Sequence, residues 1–183
     1  MIRWLLWITG GIVLGGIVHL ASVLAMPRAA TDDAYSRLKP LTPVNAVVVL
    51  PAPTPKGSLM PFMDPAFAEA VCRYDLSGGS IKLYAPVGEA YTSATFYTRE
   101  SVAYYAISGR AAGGHAIALD LMTPQQHAQL PDQEDVTAAD RLIVDSPGAE
   151  GLIVLRALAP EPGLMPAALR TLATAQCRVA PVQ

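Results

Sequence analysis

Short runs of alternating apolar and polar residues dominate the chain from residue 46 onward. In residues 70–76, the alternation places Arg73 and Asp75 on one face of a strand. Cys72 and Leu76 fall on the opposite face. On a half-buried strand, Cys72 and Leu76 face the core, and Arg73 and Asp75 are solvent-exposed neighbours. The pattern therefore predicts a scaffold strand at this point.

Further stretches are rich in β-branched and aromatic residues and are separated by turn signals, which is typical of strands. These predicted strands cover residues 46–50, 80–85, 90–98, 102–108, 114–122, 141–147 and 151–160. The glycine pair at 78 and 79 is typical of a hairpin turn and predicts that residues 70–76 pair with residues 80–85.

Apolar residues recur at helical spacing near the end of the chain, which predicts a helix from about Pro166 to Ala175. Seven or eight short strands with helices only at the ends favour a mainly β fold. We therefore expect a β-rich extracytoplasmic domain over residues 67–183. Its predicted architecture is an antiparallel β-sandwich or jelly-roll-like domain with a C-terminal helix.

The N-terminal stretch from Trp4 to Pro27 contains no Asp, Glu, Lys or Arg. As a helix it would be roughly 36 Å long, enough to cross a hydrocarbon core of about 30 Å. We therefore expect residues 1–27 to form a transmembrane anchor. A cleaved signal peptide is the alternative, because Val23-Leu24-Ala25 fits the pattern before a cleavage site. The stretch exceeds the usual apolar region of about 7–15 residues in signal peptides, which favours the uncleaved anchor.

The charges that flank this stretch predict its orientation. Arg3 and the α-amine precede it, whereas Arg28 after it is soon followed by Asp32 and Asp33. The excess of positive charge places the N-terminus in the cytoplasm. The sequence therefore predicts a single-pass inner-membrane protein whose C-terminal domain is periplasmic.

Gly11 and Gly15 form a GxxxG pattern in the anchor, and this pattern lets a second helix pack closely. Glycine is also common in membrane helices that have no such role. After the anchor, residues 28–66 combine a predicted juxtamembrane helix with a proline-rich linker. Thr31 is the predicted helix cap, and Pro40 is the predicted stop.

The charge balance argues against nucleic-acid binding. The chain has 13 Lys and Arg against 15 Asp and Glu, a formal net charge of −2. A protein that neutralises a phosphate backbone needs a basic stripe, and none is present. Glycine-rich nucleotide loops and histidine patterns for zinc are also missing from the sequence, so no cofactor is predicted.

Cys72 and Cys177 are the only two cysteines. Two cysteines cannot form a four-cysteine zinc site, which leaves two free thiols or one disulfide. We expect a disulfide, because the periplasm is oxidising.

Three histidines restrict the candidate chemistry. His115 opens a predicted strand, and together with Arg73 and Asp75 it is the only candidate polar site for a hydrolase scattered across strands. His127 precedes Asp132, Glu134 and Asp135, and this group would suit either a divalent cation or, as the simpler interpretation, a solvated loop.

Aromatic residues are concentrated in the predicted strands, where they would line a ligand cleft between the sheets or pack in the core. They are Tyr84, Tyr91, Phe96, Tyr97, Tyr104 and Tyr105. The cleft would make the protein a small-molecule or lipid-binding module.

Several segments together resemble a bacterial family known as domain of unknown function 1254. They are "GGIVHLASVLAMPRAATDDAYSRL", "DPAFAEAVCRYDLSGG", "LRALAPEP" and "LATAQC", of which "CRYDL" and "RALAPEP" are the most specific. The resemblance implies a single-pass inner-membrane protein with a β-rich outer domain, often encoded beside a member of the companion domain of unknown function 1214. The matching segments include Cys72 and Cys177, and the family name carries no biochemical activity.

We therefore expect a non-enzymatic envelope protein. Its expected partners are the lipid bilayer and another envelope protein, with the companion 1214 family as the first candidate. The stretch "YYAISGRAAGG" departs from the more polar segment typical of the family, so a site that depends on that loop is doubtful here.

Overall fold

A computed structural model describes residues 2–29, 33–130 and 142–180. The helices are α1 (Ile2–Ala29), α2 (Ala34–Leu38), α3 (Pro124–His127) and α4 (Met165–Ala173). The strands are β1 (Val47–Val49), β2 (Phe67–Asp75), β3 (Ser80–Pro86), β4 (Thr92–Thr98), β5 (Ala103–Ser108), β6 (Ala116–Met122), β7 (Leu142–Asp145), β8 (Glu150–Leu158) and β9 (Gln176–Ala180).

The strands form two sheets, which confirms the mainly β, sandwich-like prediction. The five-stranded sheet has the order β1-β2-β8-β4-β5 and is antiparallel throughout. The four-stranded sheet has the order β7-β6-β3-β9 and is mixed, because β7 runs parallel to β6. The inner faces of both sheets contribute to one buried core.

The predicted hairpin between residues 70–76 and 80–85 is wrong. β2 pairs with β1 and β8, whereas β3 pairs with β6 and β9 in the other sheet. The glycine turn therefore carries the chain from one sheet to the other. Gly79 has φ +133°, a conformation that favours glycine, and its amide donates to Leu76 O at 3.2 Å. The residues of this turn are typical of a hairpin. Only the pairing of the strands shows whether the turn joins neighbours in one sheet or crosses between the sheets.

The C-terminal helix α4 agrees with the prediction to within two residues at either end. Its Leu172 is fully buried in the core between the sheets. β9 follows after two residues and pairs with β3. The sequence pattern does not predict this strand, because a five-residue strand directly after a helix has little periodic signal.

A second apolar cluster covers the outer face of the five-stranded sheet. Val71 and Leu152 of the sheet pack against Tyr35 and Leu38 of α2. Asp33 caps this short helix by accepting a hydrogen bond from the Ser36 amide at 2.8 Å. The predicted juxtamembrane helix is therefore present, but its observed cap is Asp33; Thr31 lies outside the described residues.

Within α1, the stretch Ile2–Met26 is long and apolar enough to cross a membrane, with a mean hydropathy of 1.9. None of it is buried against the rest of the protein. A signal sequence near the N-terminus can meet the same criteria of length and composition.

Candidate functional site

A polar cluster joins the segment after α1 to the outer face of the five-stranded sheet. We name it the Tyr35 cluster, after the residue at its centre. Its members are Asp33, Tyr35, Arg73, Arg99 and Glu150. It brings together four charged side chains from distant parts of the chain.

Tyr35 is held from three sides. The Arg99 guanidinium lies 4.1 Å from the centre of its ring, and that of Arg73 lies 5.6 Å away. Both distances fall in the range of cation–π contacts. The Tyr35 hydroxyl donates to Glu150 Oε2 at 3.0 Å, and burial raises the pKa of this phenol. The ring is therefore fixed both by its face and by its hydroxyl.

Asp33 adds an ion pair, in which Arg99 donates to its Oδ2 at 2.9 Å. Burial raises the pKa of the Asp33 carboxyl, but the hydrogen bonds from Ser36 and the charge of Arg99 together outweigh that effect. The pKa consequently lies below its usual value, and Asp33 is charged at neutral pH. One carboxylate thus caps α2 and ties it to the turn after β4.

Arg73 and Asp75 project to the same outer face, as the alternation predicts, but they serve different neighbours. Arg73 donates to the Thr42 carbonyl through Nη2 at 3.0 Å and Nε at 3.3 Å. Asp75 accepts from the Ser77 amide at 2.8 Å, and this hydrogen bond is the main reason that its pKa is lowered. The backbone of Asp75 exchanges two hydrogen bonds with the side chain of Asn45.

The structure does not bring His115 to Arg73 and Asp75. The glycine turn leads from Asp75 to the start of β3, whereas the His115 carbonyl accepts from the Val87 amide just beyond the end of β3. A seven-residue strand spans about 20 Å. His115 is exposed at that far end of the sandwich, so these three residues form no common site.

A buried hydroxyl network lies on the inner face of the same strand. The Tyr74 hydroxyl lies 3.0 Å from Ser146 Oγ and 3.1 Å from the Tyr104 hydroxyl. Burial raises the pKa of both phenols, so both stay protonated. A Cβ on Gly151 would meet the Tyr97 carbonyl and the Tyr74 ring, with Tyr74 Cζ at 2.6 Å. Glycine at 151 therefore makes room for the Tyr74 ring.

Cys72 and Cys177 are joined by a disulfide in the structure. Cys72 lies on β2 of one sheet and Cys177 on β9 of the other, so the bond crosses the core between the sheets. Cys72 is completely buried and Cys177 nearly so. A reductant in solvent therefore has little access to either sulfur.

The polar side chains of the two most specific family segments include several with structural roles. In "CRYDL", Cys72 bonds to the other sheet, Arg73 to the segment before β1 and Tyr74 to the hydroxyl network. Asp75 accepts a hydrogen bond from the following turn, and Leu76 packs in the core. In "RALAPEP", Arg156 pairs with the buried Glu69 at 2.9 Å. The residues that look most chemical in the sequence are those that hold the sandwich together.

The six aromatic residues do not line one cleft. Phe96 is fully buried, and the rings of Tyr104 and Tyr105 pack against it at 6.2 and 5.6 Å. Tyr97 joins the outer cluster. Tyr84 and Tyr91 are about half exposed elsewhere. This distribution fits core packing.

His127 contacts Asp145, with Nδ1 and Oδ1 2.9 Å apart, and both side chains are about half exposed. The acidic residues Asp132, Glu134 and Asp135, which the sequence suggests as its neighbours, lie outside the described residues. Within residues 2–29, 33–130 and 142–180, no group of three or more His, Cys, Asp or Glu is placed to hold a metal ion.

An open cleft adjoins the Tyr35 cluster. The turn at residues 98–102, the loop at residues 147–150 and Leu24 of α1 border it, and its volume is about 760 Å³. Arg99 and Glu150 belong both to the cleft wall and to the Tyr35 cluster. Val102 contributes an apolar side chain that is 51% exposed. No local sequence pattern predicts this cleft, because two distant turns and the end of α1 form it.

Gly11 and Gly15 lie on the exposed surface of α1. A Cβ at either position would meet no atom within 4 Å among the described residues. The predicted role of these glycines in helix packing stays a prediction.

The molecule is a two-sheet β-sandwich that follows an apolar N-terminal helix, with its polar side chains used mainly for internal contacts. The sequence profile of the family described as "Protein of unknown function (DUF1254)" matches residues 44–181. The chain therefore belongs to the DUF1254 family. No curated protein matches the chain significantly.

Two solved structures share the fold. The VPA0106 protein from Vibrio parahaemolyticus matches with a TM-score of 0.57 and 14% identity over 81% of this chain and 36% of that one. An uncharacterized protein from Burkholderia cenocepacia matches with a TM-score of 0.50 and 12% identity over 80% of this chain and 37% of that one. The chain thus spans little more than a third of the length of either protein, and in both the fold occurs within a longer polypeptide.

Proposed function

We propose that this protein is a single-pass inner-membrane protein whose periplasmic β domain binds another envelope protein, without catalysis of its own. The observation that carries the proposal is the double use of Arg99 and Glu150. Both residues hold α2, and both line the cleft, so the cleft is fixed relative to α2. This helix begins five residues after the end of α1.

The cleft suits a protein segment. Its wall combines the charged side chains of Arg99, Glu100 and Glu150 with apolar side chains, which are Val102, Pro147 and Leu24 of α1. Mixed surfaces of this kind are typical of interfaces between separately folded proteins. The first partner to seek is a protein of the companion 1214 family, which the family resemblance implies.

The interaction is tested by photo-crosslinking in native membranes. A photoreactive amino acid replaces Val102 in a full-length chain with a C-terminal tag, and a matched chain carries it at Val179. Val179 is 40% exposed on the edge strand β9 of the other sheet and does not line the cleft. We expect an adduct with a second envelope protein from position 102 and none from position 179. Adducts from neither position, with a monomeric protein in mild detergent, would contradict the proposal.

The topology is tested separately. The intact mass of the purified protein shows whether residues 1–27 are retained. Protease added to spheroplasts is expected to remove the C-terminal tag, whereas protease added to intact cells is not. A tag that is degraded only after the inner membrane is opened would reverse the proposed orientation.

A further inference from the structure

The loop between β1 and β2 presents an unusual aromatic residue. Phe62 is 100% exposed, whereas the next most exposed apolar side chain of the described domain, Tyr91, is 54% exposed. Its backbone φ is +61°, a conformation that bulky residues rarely adopt. A strained backbone that holds an aromatic ring in solvent suggests a ligand for that ring.

The neighbours of Phe62 fix the loop in place. Leu59, Met60 and Met63 are half buried and pack in the outer cluster with Tyr35 and Leu38 of α2. The loop is therefore anchored from below by three apolar side chains, and Phe62 is the one that points away. The ring projects from the outer face of the five-stranded sheet.

The position of α2 limits how far this loop lies from α1. Residues 27–29 continue α1 beyond the apolar stretch, and residues 30–33 separate it from α2. Three helical residues and four extended ones reach at most roughly 18 Å. The polar region of a bilayer extends several ångströms beyond its hydrocarbon core. Because the loop packs on α2, it lies near the membrane whenever α1 is inserted.

From these observations we infer that residues 59–63 form a second membrane contact, in which Phe62 inserts into the boundary between lipid headgroups and acyl chains. Aromatic side chains favour this boundary. Lys56 lies in the adjacent turn, where Thr54 and Gly57 bond to each other, and its ammonium group suits anionic headgroups. The outer face of the five-stranded sheet would then face the bilayer.

A lipid surface fits this loop better than a protein partner does. Protein interfaces use contiguous apolar patches of several hundred square ångströms. Here one aromatic ring protrudes, while Leu59, Met60 and Met63 of the same loop are already packed against the sheet. A protruding ring on a short turn matches the shallow insertion of peripheral membrane contacts.

The inference rests on the uncleaved anchor of the proposed function, and the experiment separates the two. Trp4 and Trp7 are replaced by Phe in the full-length chain, and Phe62→Trp then supplies a single fluorescent probe. A control chain carries Tyr84→Trp instead, because Tyr84 is an exposed aromatic residue on the outer face of the four-stranded sheet. Both chains are reconstituted into phosphatidylcholine–phosphatidylglycerol vesicles, with or without acyl chains that carry bromine.

We expect the Phe62→Trp chain to lose emission in the brominated vesicles and, in vesicles without bromine, to emit further to the blue than the Tyr84→Trp chain. The emission of the Tyr84→Trp chain should be unaffected. If the Phe62→Trp chain floats with the vesicles but is not quenched, the inference is overturned and the anchor stands. A blue shift without quenching would overturn it as well, because protein would then cover the ring. A chain that fails to float would remove the anchor and the inference together.

Discussion

The two faces of the five-stranded sheet are covered in different ways. The inner face meets the four-stranded sheet, and Cys72, Tyr74 and Phe96 are completely buried there. The outer face is covered by the segment after α1, which contributes one short helix, a proline-rich loop and the charged Tyr35 cluster. The inner side therefore provides most of the stability, and the outer side connects the domain to the N-terminal helix.

Burial explains why changes on the two sides should differ in size. An inner residue loses packing on every side when it is truncated, and a cavity or an unpaired hydroxyl is left behind. Salt bridges near the surface, such as that between Arg99 and Asp33, typically contribute about 0–1 kcal/mol. Substitutions on the inner face should lower the free energy of unfolding, whereas those on the outer face should mainly loosen α2.

Removal of the disulfide should have the largest effect. Cys72 and Cys177 are 105 residues apart, and the loop-closure model predicts a loss of about 4–5 kcal/mol for C72A/C177A. Urea unfolding of the full chain in detergent measures the difference. In the wild-type protein, reductant should act only after denaturation. Two thiols titrated in denatured, unreduced protein would show that the bond does not form.

Gly151→Ala should have the next largest effect, because the new Cβ meets the Tyr97 carbonyl and the Tyr74 ring. Overpacking of this kind costs about 3 kcal/mol when backbone blocks the added atom. Gly148→Ala is the matched control, since its Cβ would come no closer than 4.0 Å to another atom. Thermal unfolding should separate the two variants by several degrees. Equal melting temperatures would mean that the Tyr97 carbonyl and the Tyr74 ring both make room for the added atom at little cost.

Tyr74→Phe should have a smaller effect. It keeps the ring but removes the hydroxyl that meets Ser146 and Tyr104, at an expected cost of about 1–2 kcal/mol. Tyr105→Phe is the control, because that hydroxyl has no hydrogen bond among the described residues while its ring also packs on Phe96. A Tyr105→Phe loss as large as that of Tyr74→Phe would argue that ring packing, and not the network, stabilises this end of the sandwich.

Acid should loosen α2, and this should be the smallest of the expected effects on the free energy of unfolding. The folded-state pKa of Asp33 is lowered, so its contribution is present above the unfolded value of about 3.9 and is lost as the pH falls through the folded value. In Arg99→Gln the pKa should rise towards the ordinary value, and the loss should begin at higher pH. An NMR titration of the Asp33 carboxyl measures both pKa values. Arg110→Gln, a change at an exposed loop arginine, should leave the titration unchanged.

Alternation in the sequence is enough to locate most strands and the faces of β2. It places Cys72 and Leu76 in the core and Arg73 on the outer face, as the structure has them. It cannot assign the strands to sheets, since the turn at Gly79 has the same residues whether it joins neighbours or crosses the sandwich. For the same reason, local sequence patterns do not predict that β7 lies beside β6 and runs parallel to it.

The Tyr35 cluster is only partly foreseeable. The sequence suggests Arg73 as half of a polar pair with Asp75, but its main partner is the Thr42 carbonyl, 31 positions earlier in the chain. Tyr74 lies between Arg73 and Asp75 in the sequence, and alternation predicts only that its side chain is on the inner face. It does not predict that the Tyr74 hydroxyl organises the buried network. Tyr74 lies opposite Gly151 on the neighbouring strand, and a tyrosine opposite a glycine suggests close packing. This signal can be used only when the strand register is known.

The central place of β8 in the five-stranded sheet has a consequence for biosynthesis. β8 lies between β2 and β4, yet the ribosome makes it after both of them and after three strands of the other sheet. At ordinary rates of translation, the nascent chain waits roughly 3 to 10 s between completing β4 and beginning β8. During that interval β2 and β4 each expose an unpaired backbone edge of the kind that recruits other chains. Until β8 has emerged and paired with both strands, these edges are open to other copies of the chain.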